Sequence, residues 1–232
     1  MKNLILNRRI ARLIGALGLA SIVAASSAWA TVVWELNPNN LNAPAGSTSV
    51  TFTSSGFQIT ASGYDNTGLA GTPHELYYKS IQPIGGAIER GLGLTNISDN
   101  ELQVSGAAVP TNYIQLDLRS ILSMGFINGQ ISVGSIQTGE SFQLFGSNQQ
   151  GVLGTQLGVF GSQFDDQFVA IPGFGIFQFV SIAAATGDVL PVAFRADITP
   201  VPEMSALLPI TGLLVAIAGV EILRRRRARS HA

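Results

Sequence analysis

Two short acidic runs hold the residues best suited to chemistry. Asp99-Asn100-Glu101 and Asp165-Asp166 each set oxygen ligands side by side in polar stretches. Calcium takes carboxylate and carbonyl oxygens from flexible loops, so these five residues are candidate ligands for a structural calcium ion. Neither run has the spacing of an EF-hand loop, and a solvated acidic turn is the alternative reading of both. No other cofactor is implied.

Catalytic groups are sparse. A serine hydrolase needs a base beside its nucleophile, and the only imidazole between residues 31 and 205 is His74, with no Gly-x-Ser-x-Gly context around any serine. The chain has no cysteine, which removes thiol chemistry, disulfides and the usual zinc ligand sets. Paired carboxylates of a glycosidase are open by number alone, since no pair is singled out by spacing. The expectation is a protein that is not an enzyme. Tyr64 and Tyr78 are candidates for stacking on sugar rings, with Trp34 and Tyr77 beside them, because flat aromatic faces bury the apolar faces of sugars. Tyr77 and Tyr78 are adjacent, so on a strand they point to opposite faces and only one serves a given surface.

The elements that must position these groups read as short strands. Alternating or β-rich runs occupy residues 31–36, 49–53, 57–62, 75–79, 113–119, 131–136, 141–145, 156–160, 175–183 and 189–198, separated by glycine, asparagine and serine clusters. In 113–119, Ile114, Leu116 and Leu118 share one face while Gln115, Asp117 and Arg119 share the other, which predicts a strand with one wet face. Residues 175–183 are apolar on both faces, the pattern of a central strand. One helical turn fits 119–124. The predicted fold is all-β, a β-sandwich or jelly-roll-like single domain over 31–198, with a barrel as the alternative architecture.

Charge separates this body from the ends. Between residues 31 and 205 there are four basic residues, Lys79, Arg90, Arg119 and Arg195, against thirteen acidic ones. An acidic body argues against nucleic acid as a partner. Residues 1–30 combine Lys2, Arg8, Arg9 and Arg12, an apolar stretch, and Ala28-Trp29-Ala30 before Thr31, which is the form of a secretory signal peptide with cleavage between Ala30 and Thr31. At the other end a proline-broken linker over 199–205 precedes an apolar run at 206–223 and a basic tail at 224–232. The run is about the roughly 20 residues a membrane helix needs. Its arginines place the tail on the cytoplasmic side and the body outside.

Val201, Pro202, Glu203 and Met204, the apolar run and the arginines 224–227 and 229 together resemble the PEP-CTERM sorting signal of bacterial surface proteins, here with Pro-Glu-Met where Pro-Glu-Pro is usual. Glu89-Arg90-Gly91-Leu92-Gly93-Leu94 followed by Glu101-Leu102-Gln103 also partly resembles the GLGV…EID pattern of that family's cargo domains. The resemblance implies recognition of residues 201–204 by exosortase, an integral-membrane protease, acting on a single-pass inner-membrane precursor. The mature form would lie at the cell surface or outside the cell, in an exopolysaccharide or biofilm setting. The alternatives are a secreted carbohydrate-binding module with a defined glycan and, behind it, a β-sandwich hydrolase.

Overall fold

The computed structural model describes residues 30–82, 89–105 and 109–198, together with six residues of the tail. Those six, Leu213, Leu214, Ile217, Ala218, Val220 and Arg224, are helical and exposed. Among the described residues no helix is long and apolar enough to cross a membrane. The remainder of the apolar run at 206–223, the sorting residues Val201, Pro202, Glu203 and Met204, and Ala28 of the cleavage site lie outside the described residues.

The compact unit bounded by Trp29 and Ile198 is all-β. Its strands are β1 (Ala30–Glu35), β2 (Ala43–Pro44), β3 (Ser49–Ser54), β4 (Phe57–Asp65), β5 (Thr72–His74), β6 (Leu76–Ile81), β7 (Glu89–Leu94) and β8 (Leu102–Ser105). The chain continues with β9 (Val109–Pro110), β10 (Asn112–Asp117), the short helix α1 (Arg119–Ser123), β11 (Ile127–Gly134), β12 (Ser141–Ser147), β13 (Thr155–Gly161), β14 (Phe168–Ala170), β15 (Phe179–Thr186) and β16 (Asp188–Ile198). One sheet runs β14-β11-β16-β8-β9, with β1 also on β16; a second runs β13-β12-β15-β10-β4-β3, with β5 on β4; a third is β2-β6-β7. Every strand pair is antiparallel.

All three sheets contribute to one apolar core. Trp34 from β1, Ile59 from β4, Leu92 from β7, Ile131 from β11, Ile182 from β15 and Phe194 from β16 belong to it, each almost fully buried. Trp34 packs against Phe126 and Phe194 at centroid distances of 5.7 and 5.4 Å, in the tilted geometry that aromatic pairs favour. Burying side chains of this size contributes roughly 1.5–3 kcal/mol each.

Two sequence expectations change. The central strand begins at Phe179 rather than 175, because Gly173 and Gly175 sit at φ +68° and +93° and turn the chain, leaving Ile176 69% exposed. The second face of β10 is dry along Tyr113 and Gln115, which are fully buried and 2% exposed, and meets water only from Asp117 onward. A loop crosses that face, and Gln115 satisfies it by donating from Nε2 to the Val152 carbonyl while its Oε1 accepts from the Gly151 N–H. Polar alternation therefore marked a buried hydrogen-bonding position, not contact with water.

The pairing of β1 with β16 sets Ala30 opposite Ile198 and Thr31 opposite Asp197. The chain thus enters and leaves the body at one end of one sheet. Asp188 begins β16 ten residues earlier, which at about 3.3 Å per residue places it on the order of 30 Å away, at the opposite end.

Candidate functional site

That opposite end gathers carboxylates around one lysine. In β6, Lys79 lies opposite Gly91 of β7, so their side positions share a face, and Glu89 lies two residues along on the same face. Glycine is required at Gly91 and Gly93 by close backbone approach: a Cβ at Gly91 would stand 2.6 Å from the Pro191 carbonyl oxygen, and one at Gly93 would run into that of Asn100. The alternate residues, Leu92 and Leu94, face the core and are fully buried. The Gly-Leu-Gly-Leu run is therefore one face of backbone approach and one face of core.

The turn after β7 brings in the other partners. Asn96, Asp99 and Asn100 take left-handed φ values of 56°, 54° and 55°, conformations that Asn and Asp tolerate better than other side chains. This folds the 3-10 turn Ser98–Asn100 back over Gly93 and aims Asp99 and Glu101 at Lys79. The lysine is held in turn by Asn37, whose Nδ2 donates to the Lys79 carbonyl at 2.8 Å.

Lys79 Nζ is 2.5 Å from Glu101 Oε1, 2.8 Å from Asp99 Oδ2 and 2.8 Å from Glu89 Oε2. The Glu89 oxygen is close but off the direction of an ammonium hydrogen, so it is an ion contact, not a hydrogen bond. Ser135 donates to Glu101 Oε1 at 3.0 Å, and Glu101 Oε2 accepts nothing. Lys79 is 2% and Glu101 1% exposed.

One ammonium shared among this many carboxyls leaves a surplus of negative charge. Burial pushes the Glu101 carboxyl up to about 7 against the pull of Lys79, with repulsion from Asp188 adding to the rise. Burial and the nearby Asp99 likewise raise Asp188. For Lys79 burial works the other way, and its close contacts with Asp99, Glu101 and Glu89 overcome it, so its proton is held more tightly than usual.

Of the five oxygen-ligand candidates read from sequence, Asp99 and Glu101 meet here, together with Glu89, whose role the sequence reading missed. Asn100 contributes its backbone to the turn. Asp165 and Asp166 serve another purpose: Asp165 Oδ1 accepts from the Ile136 N–H at 3.0 Å and Asp166 N–H donates to Val133, tying that turn to β11. Lys79 itself carried one signal, a lone cation between Tyr77 and Ile81 on a strand face.

The remaining candidates separate. The Tyr64 ring is 5% exposed and stacks on Tyr113 at 5.3 Å, which leaves it no face for a sugar and corrects that expectation. Tyr78 is partly buried against the core and lines a cleft of about 350 Å³ with Asn39, Thr51, Thr53 and Ser54. His74 has both ring nitrogens engaged, Nδ1 with Asp65 Oδ1 at 2.8 Å and Nε2 with the Thr95 carbonyl at 2.6 Å, so neither is free to take a proton from a serine. At the cleavage site Ala30 and Thr31 are the first residues of β1, and Thr31 Oγ1 donates to Asp197 at 2.6 Å. No family model matches the chain, and neither a curated protein nor a solved structure matches it.

Proposed function

We propose that this chain is an exported surface or matrix protein without catalytic activity, built as a β-sandwich of jelly-roll type and carried to the cell surface by its two terminal segments. In this reading a signal peptidase cuts after Ala30. The apolar run then holds the body outside the inner membrane, and an exosortase-like protease acts at Val201, Pro202, Glu203 and Met204. The mature protein resides in exopolysaccharide or biofilm matrix.

The observation that carries the reading is the pairing of Ala30 with Ile198. The first strand of the body begins at Ala30 and the last ends at Ile198, so the two sorting segments belong outside its strands. Cutting at either segment removes at most one strand-end residue, so processing leaves the core untouched. Mass spectrometry of the mature protein tests it. The expected species starts at Thr31 and lacks the arginines at 224–229; a mature chain that keeps them overturns the processing claim.

A second reading, a carbohydrate-binding module, is favoured by the Tyr78 cleft, which pairs an aromatic wall with hydroxyl and amide groups. Glycan-array binding that disappears in Tyr78→Ala supports it, and an array without binding removes it.

A further inference from the structure

A groove of about 350 Å³, at the small end of the range of ligand sites, opens on the face of the β14-β11-β16-β1 layer turned away from the core. Strand register builds it. Glu35 of β1 lies opposite Ala193 of β16, Ala193 opposite Ser132 of β11, and Ser132 opposite Phe168 of β14. One cross-strand row thus runs from a carboxylate over two small residues to an aromatic ring. Their neighbours Ile131, Val133 and Phe194 belong to the core, so the row points outward. The register between β11 and β16 slips after Ser132, and this bulge adds Val192 to the lining. Arg90 reaches in from β7, its Nη1 donating to Asn40 Oδ1 at 2.8 Å and its Nη2 to Glu35 Oε2 at 3.5 Å. Asp166 stands over Gly134, where a Cβ would lie 2.5 Å from its Oδ1. The Arg195 guanidinium packs on the Phe168 ring at 4.1 Å and is tied to Gln130 by two hydrogen bonds, which fixes the aromatic wall.

Two polar groups of the groove have no partner among the described residues. Ser132 is only 3% exposed, yet its hydroxyl, on the floor, makes no hydrogen bond. The Asp166 carboxylate accepts none either, although its backbone N–H is bonded to the Val133 carbonyl. Nearly buried polar groups are normally paired, so the floor hydroxyl lacks a partner that a ligand hydroxyl supplies. Charge then selects the ligand. Two carboxylates face one guanidinium here, in a body with thirteen acidic residues against four basic ones, so an anion is repelled. Glu35 and Arg90 set an acceptor beside a donor, which adjacent hydroxyls match because each both donates and accepts. The aromatic wall suits the apolar face of the same ring. We propose that this groove binds an uncharged pyranose residue of a polysaccharide. Asp166 and the Glu35–Arg90 pair hold its hydroxyls, Ser132 meets the deepest of them, and Phe168 lies against its apolar face. The site shares its ligand class with the second reading above but not its place: Glu35 borders both clefts, whereas Ser132, Asp166 and Phe168 line this one and Tyr78 the other. It is independent of how the terminal segments are processed.

Calorimetric titration of the full-length protein in a sugar-free detergent tests the groove, with cellohexaose, mannohexaose, xylohexaose and the acidic hexagalacturonate as probes. At least one of the three neutral oligosaccharides binds saturably, and hexagalacturonate binds more weakly than it. Asp166→Asn keeps the backbone N–H and tolerates the left-handed φ of 53°, so the protein stays folded while binding weakens by about tenfold or more. Ser132→Ala removes a hydroxyl that bonds nothing in the described body, and weakens binding severalfold at an unchanged melting temperature. Tyr78→Ala leaves the affinity as it was. Four results overturn the proposal: no saturable heat from any neutral probe, an Asp166→Asn affinity equal to the wild type, tighter binding of hexagalacturonate than of the neutral probes, or binding lost in Tyr78→Ala and kept in Asp166→Asn. The last of these assigns the sugar to the Tyr78 cleft and leaves the second reading standing without this site.

Discussion

The ammonium of Lys79 and the carboxyl of Glu101 meet at 2.5 Å in a place where the two residues are 2% and 1% exposed. They are brought there by different elements, Lys79 by β6 and Glu101 by the chain just after the 3-10 turn. Such a pair links the β2-β6-β7 sheet to the segment that leads into β8, whose Leu102 pairs with Val189 of β16. It is a point at which losing the lysine is far more damaging than losing one carboxyl.

Removing Lys79 leaves Glu89, Asp99 and Glu101 facing one another without a cation, whereas removing Glu101 leaves Lys79 still against Glu89 and Asp99. Lys79→Met is therefore expected to destabilise the body by about 3–5 kcal/mol, and Glu101→Leu by less. The double variant Lys79→Met/Glu101→Leu recovers part of the Lys79→Met loss, because the most buried of the unpaired carboxyls is gone. Urea denaturation of the four proteins closes the cycle, and additive single effects contradict the coupling.

Stability also depends on pH through the same carboxyl. Glu101 ionises near 7 in the folded state against 4.5 unfolded, so between those values the folded protein binds the extra proton. Stability is then fully present below about 4.5 and falls as pH rises through 7, by on the order of 1–3 kcal/mol. Asp188, raised for the same reason, adds in the same direction. The raised Lys79 acts in the same direction but only above its ordinary range, where its contribution is lost as pH climbs past it. Melts from pH 4.5 to 8 measure the slope set by the carboxyls. Glu101→Gln flattens it.

Gly93→Ala tests the backbone approach. The added methyl meets the Asn100 carbonyl, which sits in a turn already holding two left-handed residues. A loss of about 3 kcal/mol is expected. Gly125→Ala is the control: it has φ +82° with nothing near its Cβ, so it carries only the left-handed penalty of about 1 kcal/mol. Equal losses from the two contradict the packing account.

The loop over β10 is held by side chains from beneath. Gln115→Leu leaves the Gly151 N–H without its acceptor and costs about 2 kcal/mol. Tyr113→Phe removes one donor to the Gly151 carbonyl, which the Gly71 N–H still serves, and costs less, about 1 kcal/mol. Limited proteolysis around residues 148–153 separates them, with cleavage accelerated chiefly in Gln115→Leu.

Period-two patterning was enough to read an all-β body, most of its strands and the helical turn at α1, because strand alternation and turn chemistry are local properties of neighbouring residues. The same pattern misread β10, since Gln115 looks identical whether its face meets water or the loop at 148–153. It also misread Tyr64, whose burial depends on Tyr113, a strand away. The carboxylate cluster shows the division most clearly. Asp99 and Glu101 were visible as a short acidic run, but Glu89 and Lys79 were not, because nothing in a linear chain says that Lys79 on β6 pairs with Gly91 on β7 and so shares a face with Glu89. Sequence alone determined which residues were charged and which segments were strands. Only the tertiary structure decided which charges meet, because sheet pairing and the approach allowed by Gly91 and Gly93 bring distant positions within hydrogen-bonding distance and exclude the water that would otherwise screen them.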